Sequence, residues 1–479
     1  MKYKIENQLI STIFPKLVFI LFFSLSVMIS LGNIDRWILS EPIAMAENYL
    51  ISNSFYPQLN QENISGVSVY PPGLAILSVF VLQVGLGNYI FELLLTLSTL
   101  ILILFLYIQK KLFEEIFDSK ITGNELLIYI ILITALLPRW YDYSLQLKPS
   151  IIGQVLGFSI LYSFLKLKTH KEITYSLFLG ILFSIPIIFK QQYISFIIGF
   201  LFYTLFKRNL KNIVFCLGSL MSLASLIFIP DYKSMKFWNY EILRDDGITP
   251  LLLIFSEHYL VLVRACFFIG FSILVGVNFK TPNNFSTKFL FNKFIENPLF
   301  PIMFFSFFAV YLGLYKAGGN DGNIDGAILF LTPFIYSIFK RIPQKYLIFF
   351  AFFSVLSLLP KAYLSIEDYI DMVDFQNSIQ SINIEKNIKL VTDSNAYFAS
   401  RVITNKHQLD NFHAYSLTLP GQGSPNLPQY IESKLKNIDY YLFIEHSEVN
   451  RLIVAELGLE IIYENNSGII ATNTKPNDE

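Results

Sequence analysis

Tyr70-Pro71-Pro72-Gly73-Leu74-Ala75-Ile76-Leu77-Ser78-Val79-Phe80-Val81-Leu82-Gln83-Val84-Gly85-Leu86-Gly87 is the stretch on which the topology of this chain turns. It is apolar, yet prolines overlap its start and a Gly-Leu-Gly closes it. If it spans a bilayer, every later loop changes side. If it lies flat on the outer surface, the inner loops hold fifteen Lys and Arg and the outer loops before residue 361 hold eight. Cations are retained on the cytoplasmic side of membranes, so the flat reading is the expected one, and the basic amino terminus with Lys2 and Lys4 agrees.

The composition sets the class. Of 479 residues 53% are hydrophobic, 16% aromatic and 15% charged, too little polar surface to cover a water-soluble fold of this size. A polytopic α-helical integral protein of the plasma or inner membrane follows. The formal net charge is zero and no basic run offers a face to nucleic acid, so no nucleic-acid partner is expected. Cys216 and Cys266 fall inside apolar spans and give no ligand spacing. The five histidines show none either.

Spanning hydrocarbon takes roughly 20 residues of helix, because no water is there to satisfy free backbone groups. Candidate spans fall near residues 14–32, 89–108, 124–138, 151–167, 173–190, 193–206, 211–229, 258–277, 298–315, 326–339 and 345–360, about 11 in all, with the amino terminus inside and the carboxyl terminus outside. The first of these reads as a retained signal-anchor helix. The division expected is a transmembrane domain over 1–360, whose first outer loop is 33–88, and a small extracytoplasmic α/β domain over 361–479. Strand-like runs in the latter are 388–392, 440–444 and 459–463, with helical spacing of apolar residues over Glu448–Leu457.

With this topology the outer surface gathers the chemistry. Asn33 to Pro72 is far longer than an ordinary connection and opens with Asp35 just after the first span. Within it, Ser40 is a plausible cap with Pro42 in the first turn, and Ile43, Ala46, Glu47 and Leu50 share a face, so a short interfacial helix over 41–52 is expected, partnered by the Pro72 to Gly85 segment. A later outer loop holds Arg139, Asp142 and Lys148, and Lys190-Gln191-Gln192 caps the fifth span. Lys316-Ala317-Gly318-Gly319-Asn320-Asp321-Gly322-Asn323 is a glycine-rich turn whose backbone donors can approach an anion closely. Arg264 lies nearly two turns inside the span that starts at His258, where an unpaired cation is costly, so an anion is its expected partner. A lipid phosphate would meet a guanidinium through two parallel hydrogen bonds.

Taken together, these features resemble the GT-C superfamily of polyprenyl-phosphate-sugar-dependent membrane glycosyltransferases. The residues that carry the resemblance are the acid Asp35 after the first helix, two juxtamembrane helices with Tyr70-Pro71-Pro72-Gly73 between them, the second outer acid in Tyr141-Asp142-Tyr143, the Lys190-Gln191-Gln192 motif, the late turn ending in Asp321, and a terminal α/β domain. Where many relatives follow the first acid with a second, this chain has Arg36. The resemblance implies transfer of one sugar from a polyprenyl phosphate to a hydroxyl of a glycan, lipid or protein acceptor outside the cytoplasm, with inversion. Asp35 would be the general base. Arg264 and Lys190 would hold the departing phosphate, with Lys148 and Lys316 in reserve, and Gln191, Tyr70 and Asp321 would line the substrate site. Asp142 would orient the acceptor or share a divalent cation with Asp35, and hard oxygen ligands favour Mg2+ or Mn2+. The rival readings are a transporter or flippase of lipid-linked sugars and a surface-polysaccharide ligase or polymerase. A transporter, however, often shows paired halves with broken helices, and no such symmetry is visible in this sequence.

Overall fold

A computed structural model describes residues 13–32, 36–56, 71–86, 90–136, 149–167, 173–225, 295–314 and 332–381, and in the carboxyl-terminal region 390–393, 409–412, 440–444, 451, 454–455 and 458–473. The chain divides into two compact units. One comprises residues 1–28, 97–227 and 248–362, the other residues 29–96, 228–247 and 363–479.

The helices run α1 Phe14–Gly32, α2 Arg36–Ser52, α3 Gly73–Gln83, α4 Ile90–Phe117, α5 Gly123–Leu136, α6 Pro149–Lys166, α7 Ile173–Leu182, α8 Pro186–Phe189, α9 Ile194–Phe206, α10 Leu210–Ser225, α11 Leu299–Leu314, α12 Thr332–Phe339, α13 Gln344–Leu356 and α14 Leu359–Ser381. Helices therefore lie where the spans are expected, apart from 258–277, which is outside the described residues. By length and composition one described helical run, Gln344–Phe375, suffices on its own to cross a membrane. The helices of the first unit are apolar on both sides. On α4 the inward face buries Phe105, Leu106, Leu112 and Phe113, while Leu100, Ile103, Leu104 and Tyr107 are exposed. A helix that is hydrophobic all round is unsuited to a water-facing surface.

What holds this unit together is close backbone approach and clustered aromatic rings. At Gly180 of α7 a Cβ would collide with the Phe215 carbonyl of α10, and at Gly218 of α10 one would come within 2.5 Å of the Leu177 carbonyl. The Ser219 hydroxyl uses that proximity to donate to the Gly180 carbonyl at 2.9 Å. Packing of this kind replaces the hydrophobic effect where the solvent is as apolar as the side chains. Around the seam stand Phe164, Phe183, Phe200 and Phe215, with ring centroids 4.3 Å apart for Phe200–Phe215 and 4.5 Å for Phe164–Phe215. A second seam joins α9 and α11, where Gly199 abuts the Ile302 backbone and the Ser195 and Ser306 hydroxyls meet at 3.0 Å.

Ion pairs fasten one end of the bundle. Lys340 after α12 meets Glu125 of α5 at 2.7 Å, Lys166 of α6 pairs with Glu115 of α4, and the Lys211 ammonium of α10 donates to the Leu167 carbonyl after α6. Glu125 also closes a capping box, accepting from the Thr122 N–H at 2.8 Å while its own N–H donates to the Thr122 hydroxyl at 3.3 Å. One turn further in, Tyr129 lies against Tyr336 at 5.5 Å.

In the second unit α2 packs against α3. The α2 helix starts at Arg36, not at 41, so Ser40 is not its cap and Pro42 sits in its interior. Proline removes one N–H and crowds the preceding turn, a cost that the burial of Ile43, Met45 and Ala46 offsets here. Glu47 is half-buried and Leu50 exposed, so the face expected over 43–50 turns from packed to open along its length. The helix stops at Asn53, whose φ of 58° lies in the left-handed region, and Asn48 Nδ2 donates to the Ser54 carbonyl at 2.8 Å. Helix α3 has 11 residues, about 16 Å at 1.5 Å per residue, half of the hydrocarbon thickness, and ends before Gly85 at φ 76°. It buries Leu74, Ala75, Ser78 and Val79 and exposes Ile76 and Phe80 one turn apart.

The carboxyl-terminal residues build a five-stranded sheet in the order β2-β1-β3-β5-β4, from β1 Leu390–Asp393, β2 Leu409–Phe412, β3 Tyr440–Ile444, β4 Leu459–Asn465 and β5 Gly468–Asn473. Strand β1 is parallel to both β2 and β3, while β3–β5 and the β4–β5 hairpin are antiparallel. At the hairpin turn Asn465 Oδ1 accepts the N–H groups of Ser467 and Gly468 at 2.9 and 3.1 Å. The same side chain donates to the Asp371 carbonyl of α14 at 2.9 Å, and the Phe375 and Tyr463 rings lie tilted to each other with centroids 6.3 Å apart.

Replacing Gly180 by Val is expected to destabilise the first unit by at least the ~1–3 kcal/mol usual for overpacking, because the obstacle is backbone and cannot rotate away. Ser219→Ala should cost about 1 kcal/mol, one hydrogen bond. Thermal unfolding in detergent followed by size-exclusion fluorescence will rank them, and an unchanged midpoint for Gly180→Val would remove the seam from the stability argument.

Candidate functional site

Of the residues singled out from the sequence, Lys190 and Gln191 fall within the described structure, while Asp35, Tyr70, Asp142, Lys148, Arg264, Lys316 and Asp321 lie outside the described residues. Lys190 stands at a break. Helix α7 ends at Leu182, three turn residues lead to the single-turn α8, Lys190 is extended with φ −155° and ψ 125°, and a 3-10 turn Gln191–Tyr193 runs into α9. Pro186 explains the interruption, since it has no N–H to continue the α7 ladder. The break keeps its backbone bonds: the Lys190 N–H donates to the Pro186 carbonyl and the Tyr193 N–H to the Lys190 carbonyl, both at 3.1 Å. Non-helical backbone at membrane depth is tolerated where protein or a water-filled cavity surrounds it.

The flanking side chains fix the break against α6. Phe189 and Tyr193 are buried, while Lys190, Gln191 and Gln192 are half-buried. The Tyr193 ring fills the space beside Gly153, where a Cβ would collide with it. The Tyr193 ring also meets Phe196 edge-on, with centroids 4.8 Å apart. Gly153 is four residues into α6, the helix that the chain enters directly after Lys148. A polar neighbour that the sequence alone does not single out is Gln154, buried next to Gly153.

The direction of each helix shows which chain ends meet. Ser195 pairs with Ser306 and Gly199 with Ile302, so α9 and α11 are antiparallel, and the end of α11 at Leu314 points to the side of the Lys190 break. Glu125–Lys340 and Tyr129–Tyr336 make α5 and α12 antiparallel in the same way. Thus the end of α5, the start of α6, the Lys190 break, the end of α11 and the start of α12 share one end of the first unit. The segment between α5 and α6 carries Asp142 and Lys148, and the segment between α11 and α12 carries Lys316 and Asp321. The opposite end gathers Lys110, Lys111, Lys166, Lys211 and Lys340, with Lys111 raised above its ordinary pKa by its hydrogen bond to Glu114.

Such an arrangement can present one half-buried ammonium and two carboxamides to an anion at the end where two further polar segments leave the bundle. Among the described residues no group of three or more His, Cys, Asp or Glu side chains is placed to hold a metal ion. The one free cysteine described, Cys216, is buried and lies 3.3 Å from the Thr204 hydroxyl, a packing contact.

No protein-family model matches the sequence, and no curated protein does. Solved structures do match. ArnT from Cupriavidus metallidurans bound to undecaprenyl phosphate superposes with a TM-score of 0.52 at 12% identity over 95% of this chain and 98% of its own. The same protein in the apo state gives a TM-score of 0.52 at 11% identity over 95% and 97%. An oligosaccharyltransferase of Archaeoglobus fulgidus in complex with zinc and sulfate is more distant, with a TM-score of 0.45 at 12% identity over 89% of this chain and 68% of its own. Over 95% of its length, this chain shares the fold of the ArnT structures.

Proposed function

We propose that the chain is a membrane glycosyltransferase that moves a sugar from a polyprenyl phosphate to a hydroxyl on an extracytoplasmic glycan, lipid or protein. The observation that supports this most is the ArnT-like fold over 95% of the chain, ArnT itself being bound to undecaprenyl phosphate. The half-buried Lys190 at the end where the Asp142 and Lys316 segments leave the bundle agrees with it. The end rich in lysine then faces the cytoplasm and the Lys190 end faces outward, as the retention of cations inside requires. Residues 1–360 form the catalytic membrane domain and 361–479 the extracytoplasmic α/β domain in this reading.

In the proposed reaction the Asp35 carboxylate takes the proton of the acceptor hydroxyl as its oxygen bonds to the anomeric carbon. The bond from that carbon to the phosphate oxygen breaks with inversion, and the polyprenyl phosphate leaves with the electron pair. A carboxylate of ordinary basicity contributes modestly, so the rate rests on alignment and on charge stabilisation at the departing phosphate. Arg264 and Lys190 supply that charge, with Lys148 and Lys316 at the margin of the site. Gln191, Tyr70 and Asp321 line it. Asp142 orients the acceptor, and with Asp35 it offers the hard oxygen ligands that suit Mg2+ or Mn2+, which would draw negative charge from the phosphate.

Asp35→Asn is expected to lower turnover by about 10²–10⁴-fold, the usual contribution of a general base, with expression and thermal midpoint intact. Near-normal turnover would end its role. Lys190→Ala should raise the KM for the lipid donor about tenfold or more, the effect of losing roughly 1.4 kcal/mol of charge-assisted bonding, and Lys190→Arg should restore most of it. A flippase would move a polyprenyl-phospho-sugar across vesicles without consuming it. Purified protein given such a donor and an acceptor should instead release free polyprenyl phosphate in step with product, and translocation without release would assign the chain to the transporters.

A further inference from the structure

Helix α13 has 13 residues, about 20 Å at 1.5 Å per residue, and is too short to cross a hydrocarbon layer of about 30 Å. The chain does not leave the helical path there. After two turn residues α14 continues for 23 residues. The first three turns of α14 carry an exposed apolar stripe, Leu359, Tyr363, Ile366 and Ile370, at 46%, 64%, 43% and 53% exposure. These positions are spaced four, three and four residues apart, so they fall on one side of the helix. Acids appear only from Glu367 onward, with Asp368, Asp371 and Asp374 following. The exposed face of α13 is apolar as well, with Phe349, Phe350 and Phe353.

We infer that outer-leaflet phospholipid covers the α14 stripe as far as Ile370, and that the β4–β5 turn therefore stands at the lipid headgroups. The inference rests on the membrane reading given above. Counting from Lys345, 20 helical residues end at Leu364, and Ile366, Tyr369 and Ile370 then fall in the headgroup layer, where tyrosine is enriched. The first residue past the stripe is Asp371. Its carbonyl accepts from Asn465 Nδ2 at 2.9 Å and its carboxylate from Asn466 Nδ2 at 3.0 Å. Those two bonds fix the height of the hairpin turn to the point where the helix leaves the lipid. An apolar stripe on one side of α14, with the acids setting in over its last turn, favours this occupant over a second copy or a soluble partner, because it matches the profile of a bilayer edge.

The test places nitroxide labels one at a time on the full chain, with Cys216 and Cys266 replaced by Ser, through Phe350→Cys, Ile366→Cys, Asp374→Cys and Asn466→Cys in discs of phosphatidylethanolamine and phosphatidylglycerol. Relaxation is read with oxygen, which concentrates in lipid, and with a water-soluble nickel chelate. Positions 350 and 366 should respond to oxygen, and positions 374 and 466 to nickel. A nickel-dominated signal at 366 would place the stripe in water. Silence to both reagents would bury it against protein. Either result overturns the inference provided that position 350 responds to oxygen. If position 350 does not, the membrane reading itself fails. Should Ile366→Cys fold poorly, Tyr363→Cys reports on the same stripe.

Discussion

Everything in the first unit answers to one constraint, the absence of water as a hydrogen-bonding partner at membrane depth. Backbone groups are held inside helices, serine hydroxyls return their protons to carbonyls one turn back, as Ser26 does to Phe22 at 2.6 Å, and helix contacts rely on glycine and serine in place of a hydrophobic driving force. The interruption at Lys190 is notable against that background. A chain that can least tolerate irregular backbone spends three turn residues, one short helix and a 3-10 turn to set a lysine and two glutamines at one end of the bundle. Its own N–H and carbonyl remain bonded, so the irregularity is a built feature of the bundle and not a loose end.

The helices were legible because apolar runs of spanning length leave few alternatives, and the flat reading of residues 72–87 accords with the 11 residues of α3. Boundaries near proline were not. Pro42 reads as a helix start, yet burial of the following turn carries the helix back to Arg36. In the sheet, the hydrophobic runs over 440–444 and 459–463 announce β3 and β4. Strand β2, Leu409-Asp410-Asn411-Phe412, has poor strand formers and owes its state to pairing with β1, a long-range contact that no local pattern encodes.

The candidate site was legible in a similar, uneven way. Lys190-Gln191-Gln192 is visible as polar residues between apolar spans just after Pro186. Its packing against α6 through Tyr193 and Gly153 is invisible in sequence, because an aromatic and a glycine inside apolar runs look like any other core pair. The buried Gln154 escapes notice for the same reason. A single amide in a helix carries no spacing signal, and only its burial marks it out.

The ties Glu115–Lys166, Glu125–Lys340 and Lys211–Leu167 all sit at the lysine-rich end. They join α4 to α6, α5 to α12 and α6 to α10, so five helices are clamped like stems in a vase. The Lys190 end is held in another way, by the Tyr193 ring against Gly153 and the Ser195–Ser306 hydroxyl pair, so the two rims of the bundle are joined by different chemistry, charge at one and close packing at the other.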